Sequence, residues 1–275
     1  MKKMYLVSIE AICVSLLIFM PIFGIKSLPP LVWAQTTNTT TTPTSSDSFQ
    51  VFPAESVPYN LTYGDWSARW WQWVIYIPAN INPLLDQTGE NCDANQSGPV
   101  WFLTGTFGGP AERRCIIPEH KAIFFPIVNV YASYVENPLI KTESELLAFI
   151  KPALDGVIVL EATVDGVKLE NLENYRVQSP LFNVSYPENN LGGVPPGPSQ
   201  AISDGYWLML YPLGAGEHTI HFRGGIVDPT VTGAINFITD VTYHLTVSNT
   251  TATQTSERLE GNTTTDATIT TDVAN

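Results

Sequence analysis

Charge is scarce in this chain. Asp, Glu, Lys and Arg make up 14% of its 275 residues, and only 13 are basic against 26 acidic, a formal charge of −13. With so few Lys and Arg the surface cannot neutralise phosphates in bulk, which excludes nucleic acid and anionic bilayers as surface partners. Histidine (four) and cysteine (three) are rare as well. There is no GxSxG elbow, HExxH helix, phosphate-binding loop or dinucleotide glycine pattern. Paired carboxylates for glycoside hydrolysis could occur in any acidic β protein, but one sequence cannot bring two of them together. Beyond residue 34, no apolar run approaches the roughly 20 residues that a membrane span needs.

The start of the chain carries Lys2 and Lys3, an apolar run over 11–25, and Val32-Trp33-Ala34 before Gln35. Basic, apolar and small-residue regions in that order read as a secretory signal over 1–34. The alternative is an uncleaved N-terminal anchor, which would make that segment the sole membrane contact. Removing 1–34 leaves ten basic and 25 acidic residues and a charge of −15. Residues 35–48 and 249–275 are threonine-rich and too polar to build a core, so they read as a disordered linker and tail. Asn38, Asn60, Asn95, Asn183, Asn249 and Asn262 lie in N-x-Ser/Thr sequons and are glycosylation candidates in an exported chain.

Residues 49–248 are expected to form a single domain, organised around 60–78, NLTYGDWSARWWQWVIYIP. This stretch holds four of the seven tryptophans. At 100° per residue Tyr63, Trp66, Trp70, Trp73, Val74 and Ile77 share one face, widened by Trp71 and Ile75, which predicts a largely buried helix. Thr62 and Asp65 form a capping-box-like start, and Pro78 disfavours continuation. Tryptophans at this density also suggest a platform for sugar rings, but at helical spacing such a row normally serves as core. The polar stripe left over, Asp65, Arg69, Gln72 and Tyr76, is the candidate ligand surface, with Asp65 and Arg69 spaced to pair.

Without residue 13 the cysteines are two, Cys92 and Cys115, which in an exported chain predicts one disulfide. Before the strand predicted at 99–105 lies an oxygen-rich loop. Asp86, Glu90 and Asp93 there are a candidate calcium site, although turn chemistry explains the same composition. No cofactor is otherwise expected.

Strands are predicted over 122–128 (edge or bulged, because of Pro126), 157–164, 167–169, 206–212, 217–223 and 240–247. Asp165-Gly166 is a hairpin turn. A capping box at Thr142 and Glu145 opens a second helix, closed by Pro152 and Gly156. Residues 179–204 read as a long Pro/Gly-rich loop, a candidate lid. Alternation places His218 with Ile220 and Phe222 and puts His221 on the opposite face, with His244 able to neighbour either. The charged cluster of Arg113, Arg114, Glu119, His120 and Lys121 reads as a solvated turn.

Together GDWSARWWQW (64–73), VWFLTG (100–105), RCIIP (114–118), DGYWLML (204–210) and GEHTI (216–220) resemble a group of uncharacterised exported microbial proteins with the same Trp-rich helix and one cysteine pair. The resemblance spans about 63–247. It implies the domain limits and the disulfide, and it carries no site. The expected architecture is a mostly β, two-sheet antiparallel sandwich, Ig-like or jelly-roll-like, bearing the Trp-rich helix and one further short helix. The expected role is a secreted or cell-surface, non-catalytic binding or structural module of the cell envelope, its ligand a glycan, a metal ion or an envelope protein. An extracellular polysaccharide hydrolase with 179–204 as its lid is the second reading. An N-terminally anchored envelope protein is the third.

Overall fold

The structure, a computed structural model, describes residues 49–227 and 235–248. The N-terminal segment, both threonine-rich stretches and three of the sequons (Asn38, Asn249, Asn262) lie outside the described residues. No described helix is long and apolar enough to cross a membrane.

Helix α1 (Tyr63–Tyr76) begins with a complete capping box: Asp65 N–H donates to Thr62 Oγ1, and Thr62 N–H to the Asp65 carboxylate. Asp65 is therefore committed to its own helix end. Arg69 instead lies over the Trp66 ring, 5.5 Å from its centroid, so the expected Asp65–Arg69 pairing gives way to a cation–π contact. At the other end, Asn82 Nδ2 donates to the carbonyls of Val74 and Ile77, satisfying acceptors that a helix terminus leaves free.

Among the described residues ten strands build two sheets, so the two-sheet sandwich stands. The first contains β1 (Val100–Phe102), β3 (Ala122–Ser133), β6 (Arg176–Gln178), β7 (Phe182–Tyr186) and β8 (Gly197–Leu210). Its order is β1-β3-β8-β6, with β7 also on β8. The second runs β2 (Gly109–Pro118), β10 (Ile235–Ser248), β9 (Gly216–Val227), β4 (Val157–Val164) and β5 (Val167–Lys168). Each sheet has one parallel pair, β1 with β3 and β2 with β10, so the sheets are mixed rather than wholly antiparallel. The chain leaves β1 for the other sheet and comes back beside it as β3, a crossover that local patterning does not encode.

The first sheet is covered on both faces. Ile123, Phe125, Ile127, Leu208 and Leu210 meet the second sheet, while Phe124, Trp207 and Met209 meet α1. This explains the continuous apolar run of 122–128, since a strand buried on both faces has no polar face to alternate with. Pro126 sits at a register shift in β3, between Pro126 and Val128, and β3 is central: the bulge is real and the edge position is not. Gly224 of β9 lies against this bulge. A Cβ there would fall 2.5 Å from the Ile127 carbonyl oxygen, so glycine permits the sheets' close approach.

The second sheet shows the expected alternation, with Ile220 and Phe222 inside and His221 and Arg223 outside. Asp165-Gly166 turns with both φ positive, 51° and 78°, as a tight hairpin requires. Helix α2 (Glu143–Asp155) has the expected capping box, but it accommodates Pro152 in its last turn and ends at Gly156.

One expectation about loops is overturned and a second holds only in part. Residues 179–204 are no long loop: 182–186 are β7 and 197–204 begin β8, leaving only 187–196 between them. The solvated-turn reading of the Arg113 cluster holds for Glu119 and His120, which form a turn, but fails for the arginines, which lie in β2. Arg113 belongs to β2 and is 1% exposed, because it points inward on the face that the alternating strand buries.

Cys92 and Cys115 are joined, with Cα atoms 6.0 Å apart and a sequence separation of 23. The bond ties the 86–98 segment to β2. In the chain-entropy picture a loop of this size is worth about 3 kcal/mol. Replacing both cysteines with serine is expected to lower the melting temperature by roughly 6–12 °C, measurable by circular dichroism. An unchanged midpoint would mean that the loop is held by other contacts.

Candidate functional site

A cavity of about 340 Å³ opens where α1, the bulged part of β3, the 105–107 segment and the start of β10 converge. Its size lies in the range of small-molecule sites. Trp70 and Trp71 come from α1, and Asn129 and Tyr131 from β3. Phe107 follows β1, Phe237 comes from β10, and Leu191 and Gly192 from the 187–196 loop. The bulge matters because an extra residue re-aims the side chains that follow it.

The aromatic wall is held rigidly. Trp71 stacks on Tyr131 at 4.5 Å, and Trp70 stands edge-on to Trp71 at 5.0 Å and to Trp207 at 5.3 Å. Trp70 Nε1 donates to the Leu103 carbonyl at 2.9 Å, tying α1 to the segment after β1. That segment is fixed from its other side by Arg113. Its guanidinium donates to the carbonyls of Asp86, Thr104 and Gly105 and to the hydroxyls of Thr104 and Tyr243, at 2.6–3.0 Å. Thr106 and Thr239 then join it to β10 through their hydroxyls, 3.2 Å apart.

Among the described residues Glu136 is the only carboxyl group lining the cavity, and no Lys, Arg or His lines it. Ser133 Oγ donates to Glu136 Oε2 at 2.8 Å. With that proton committed, the Tyr186 hydroxyl donates to Ser133 Oγ at 2.8 Å, and the Tyr131 hydroxyl to Tyr186 at 2.5 Å. Burial raises the Glu136 pKa above the ordinary carboxylate value, only partly offset by hydrogen bonding from Ser133. Burial likewise pushes the Tyr186 phenol up to about 12, and the Tyr131 phenol upward as well. Two further donors of lining residues, Trp71 Nε1 and Asn129 Nδ2, are buried without a hydrogen-bond partner among the described residues. Buried donors are normally paired, and unpaired ones tend to mark a place where something else binds.

The raised Glu136 pKa has a consequence for stability. The folded state binds the proton more tightly than the unfolded chain. The penalty is therefore absent well below the unfolded value and grows as pH rises through the window between the unfolded and folded pKa. Glu136→Gln removes the charge and keeps an oxygen that can accept from Ser133. It is expected to raise the melting temperature at pH 7.5, by about 2 °C, and to leave it unchanged at pH 4. A lower melting temperature at pH 7.5 would contradict this account.

The residues singled out from sequence lie elsewhere. Arg69, Gln72 and Tyr76 are exposed along α1 and Asp65 is half-buried, but none of them lines the cavity. Gln72 donates to the Asn183 carbonyl and so pins α1 to β7. Asp86, Glu90 and Asp93 do not converge, and no group of three acidic, His or Cys side chains is placed to hold a metal among the described residues. Burial pulls the Asp86 pKa up, but hydrogen bonds from the Asn91, Thr88 and Gly89 N–H groups together hold it below the usual range. Its oxygens serve the turn.

The histidines do not share a site. His218 meets Asp165, His221 meets Asp240, and His244 meets Glu112, each at 2.8 or 2.9 Å. Asn60, Asn95 and Asn183 are exposed. The tip of the expected lid does reach the cavity, through Leu191 and Gly192.

Sequence reasoning passed over Asn129, Tyr131 and Glu136. A signal existed: polar side chains following directly on a run too apolar for a surface strand. Ending the strand at Val128 hid it.

No protein-family model matches the chain, and no curated protein matches it in sequence. Among solved structures, the chain is similar to the cysteine protease inhibitor EhICP2 of Entamoeba histolytica. The two share 16% identity, over 54% of this chain and 94% of that one, with a TM-score of 0.20. It is also similar to Amebosin at 14% identity, over 55% of this chain and 100% of that one, with a TM-score of 0.18. Likeness at these scores carries no argument about fold or function.

Proposed function

We propose that the protein is an exported, non-catalytic binding module that takes a small, largely apolar molecule into the cavity beside Glu136. The observation that carries this reading is the cavity itself: about 340 Å³, walled mainly by aromatic and aliphatic side chains, with a few polar groups. The disulfide suits an oxidising compartment, and the basic-then-apolar start of the chain supports export to the surface or beyond. In this reading 49–248 form the folded body and the threonine-rich stretches serve as its arms. The exposed sequon residues Asn60, Asn95 and Asn183 are available for glycosylation.

Polysaccharide hydrolysis has less support. Such chemistry uses two carboxyl groups about 5–9.5 Å apart, and among the described residues the cavity offers Glu136 alone.

The test is a thermal-shift screen of the full chain, disulfide intact, against apolar fragments, cell-wall glycans and calcium. Each compound is repeated on Leu191→Trp, which places a larger side chain at the cavity wall. A ligand at about 100 times its Kd stabilises by about 2.7 kcal/mol, a shift of several degrees. Fragment shifts in the wild type that vanish in Leu191→Trp are expected. Equal shifts in both proteins, or shifts with glycans or calcium only, would move the site away from this cavity.

A further inference from the structure

Among the described residues the cavity presents one half-buried carboxyl group against aromatic walls, and this combination selects a charge type. Among the described residues no cation faces Glu136: its hydrogen-bond partner is the Ser133 hydroxyl, with the Tyr186 and Tyr131 phenols behind it. Oε1 accepts no hydrogen bond among the described residues, and it lies beside Gly192, where a Cβ would fall 2.9 Å away. Glycine at 192 thus keeps the rim clear at the carboxyl group.

A neutral apolar ligand would seal the carboxyl group in without a counter-charge, which is costly. An anion would add repulsion to that cost. A cation gains twice, from the carboxylate and from the ring faces of an aromatic-lined site. From the one cavity carboxyl group and the aromatic wall of Trp71, Tyr131, Phe107 and Phe237, we infer that the ligand is a small organic ammonium ion with an apolar body. The ammonium sits at Glu136 and the body fills the space toward the bulge. The unpartnered donors Trp71 Nε1 and Asn129 Nδ2 leave a place for one neutral acceptor oxygen on that body. This assignment rests on the cavity being the binding site.

Isothermal titration calorimetry on the full chain with three matched compounds tests it: 3-phenylpropylammonium, 3-phenylpropanol and 3-phenylpropanoate, at pH 7.5. The ammonium is expected to bind roughly tenfold more tightly than the alcohol, and the carboxylate more weakly than either. In Glu136→Gln the ammonium loses that advantage, while the alcohol, which no longer seals in an uncompensated charge, binds no more weakly than to the wild type.

Wild-type protein supplies a second readout that needs no variant. Lowering the pH through the Glu136 titration erases the ammonium's advantage without weakening the alcohol. The other titratable groups facing Glu136, Tyr131 and Tyr186, stay neutral throughout. Equal binding of ammonium and alcohol in the wild type, or an ammonium preference that survives both Glu136→Gln and acid pH, would overturn the charge assignment while leaving the cavity as a site. Failure of all three compounds to bind would overturn the cavity reading as well.

Discussion

Arg113→Ala is expected to destabilise the protein by about 4 kcal/mol, seen as a fall in melting temperature on the order of 10 °C. The guanidinium is 1% exposed and donates five hydrogen bonds to three carbonyl oxygens and two hydroxyls. Its partners are neutral, so the charge is dispersed over dipoles, with the Tyr243 ring 5.4 Å away. Truncation leaves the Asp86 and Gly105 carbonyls without that donor in a buried place and opens a void among Thr104, Gly105 and Tyr243. Unsatisfied groups and cavities are the two largest sources of mutational loss.

Arg113→Lys is expected to recover little, because a single ammonium cannot reproduce a planar fork aimed at three separate backbone segments. Arg113 fastens the 104–105 segment, so Arg113→Ala should also weaken ligand binding in the cavity. A midpoint within 2 °C of wild type would show that the network is dispensable.

Trp70→Ala is expected to cost a similar amount, about 3–5 kcal/mol. Trp70 is 1% exposed and stands edge-on to Trp71, Trp73 and Trp207, with ring centroids 5.0–6.0 Å apart. Its removal opens a void between α1 and the first sheet and frees the Leu103 carbonyl it pairs with. Trp70→Phe separates the two contributions: it keeps most of the ring packing and loses the hydrogen bond, for a cost of about 1–2 kcal/mol. Chemical denaturation of the two variants measures both. Equal losses would mean that the hydrogen bond, rather than packing, holds α1 down. Because Trp70 also lines the cavity, the alanine variant should bind apolar fragments with altered selectivity even where it remains folded.

The two substitutions differ in how far the sequence announces them. Trp70 sits in a period-3.6 row of apolar residues with a cap before it and a proline after it, so its burial can be read from its neighbours in the chain. Arg113 sits in a charged cluster, Arg113-Arg114 with Glu119, His120 and Lys121, which reads as solvated. What buries it is the face it occupies on β2 and a set of acceptors drawn from residues 86, 104, 105 and 243. Residues 86 and 243 lie far from 113 in sequence, and no local window around 113 contains the whole set.

The cavity obeys the same rule. Pro126 signals an irregularity in its strand, and the structure puts a bulge there. The use of the bulge depends on α1, β10 and the 187–196 loop arriving beside it. Glu136 is unremarkable in sequence and becomes distinctive only when Ser133, Tyr186 and Tyr131 line up behind it.

By itself the sequence determined the features that depend on neighbours in the chain. These are the two capped helices, the Asp165-Gly166 hairpin, the alternating strands of the second sheet, the cysteine pair and the apolar run of β3. Each arises from backbone hydrogen bonding, side-chain period or, for the cysteines, from there being two of them within 49–248, and all of these act over short spans or few candidates. Only the tertiary structure decided the two parallel pairings, the inward course of Arg113, the strands at both ends of 179–204, and the placement of one carboxyl group against an aromatic wall. The physical reason is that these depend on which buried faces meet, and burial is non-directional: it rewards covering an apolar surface without specifying which distant segment covers it.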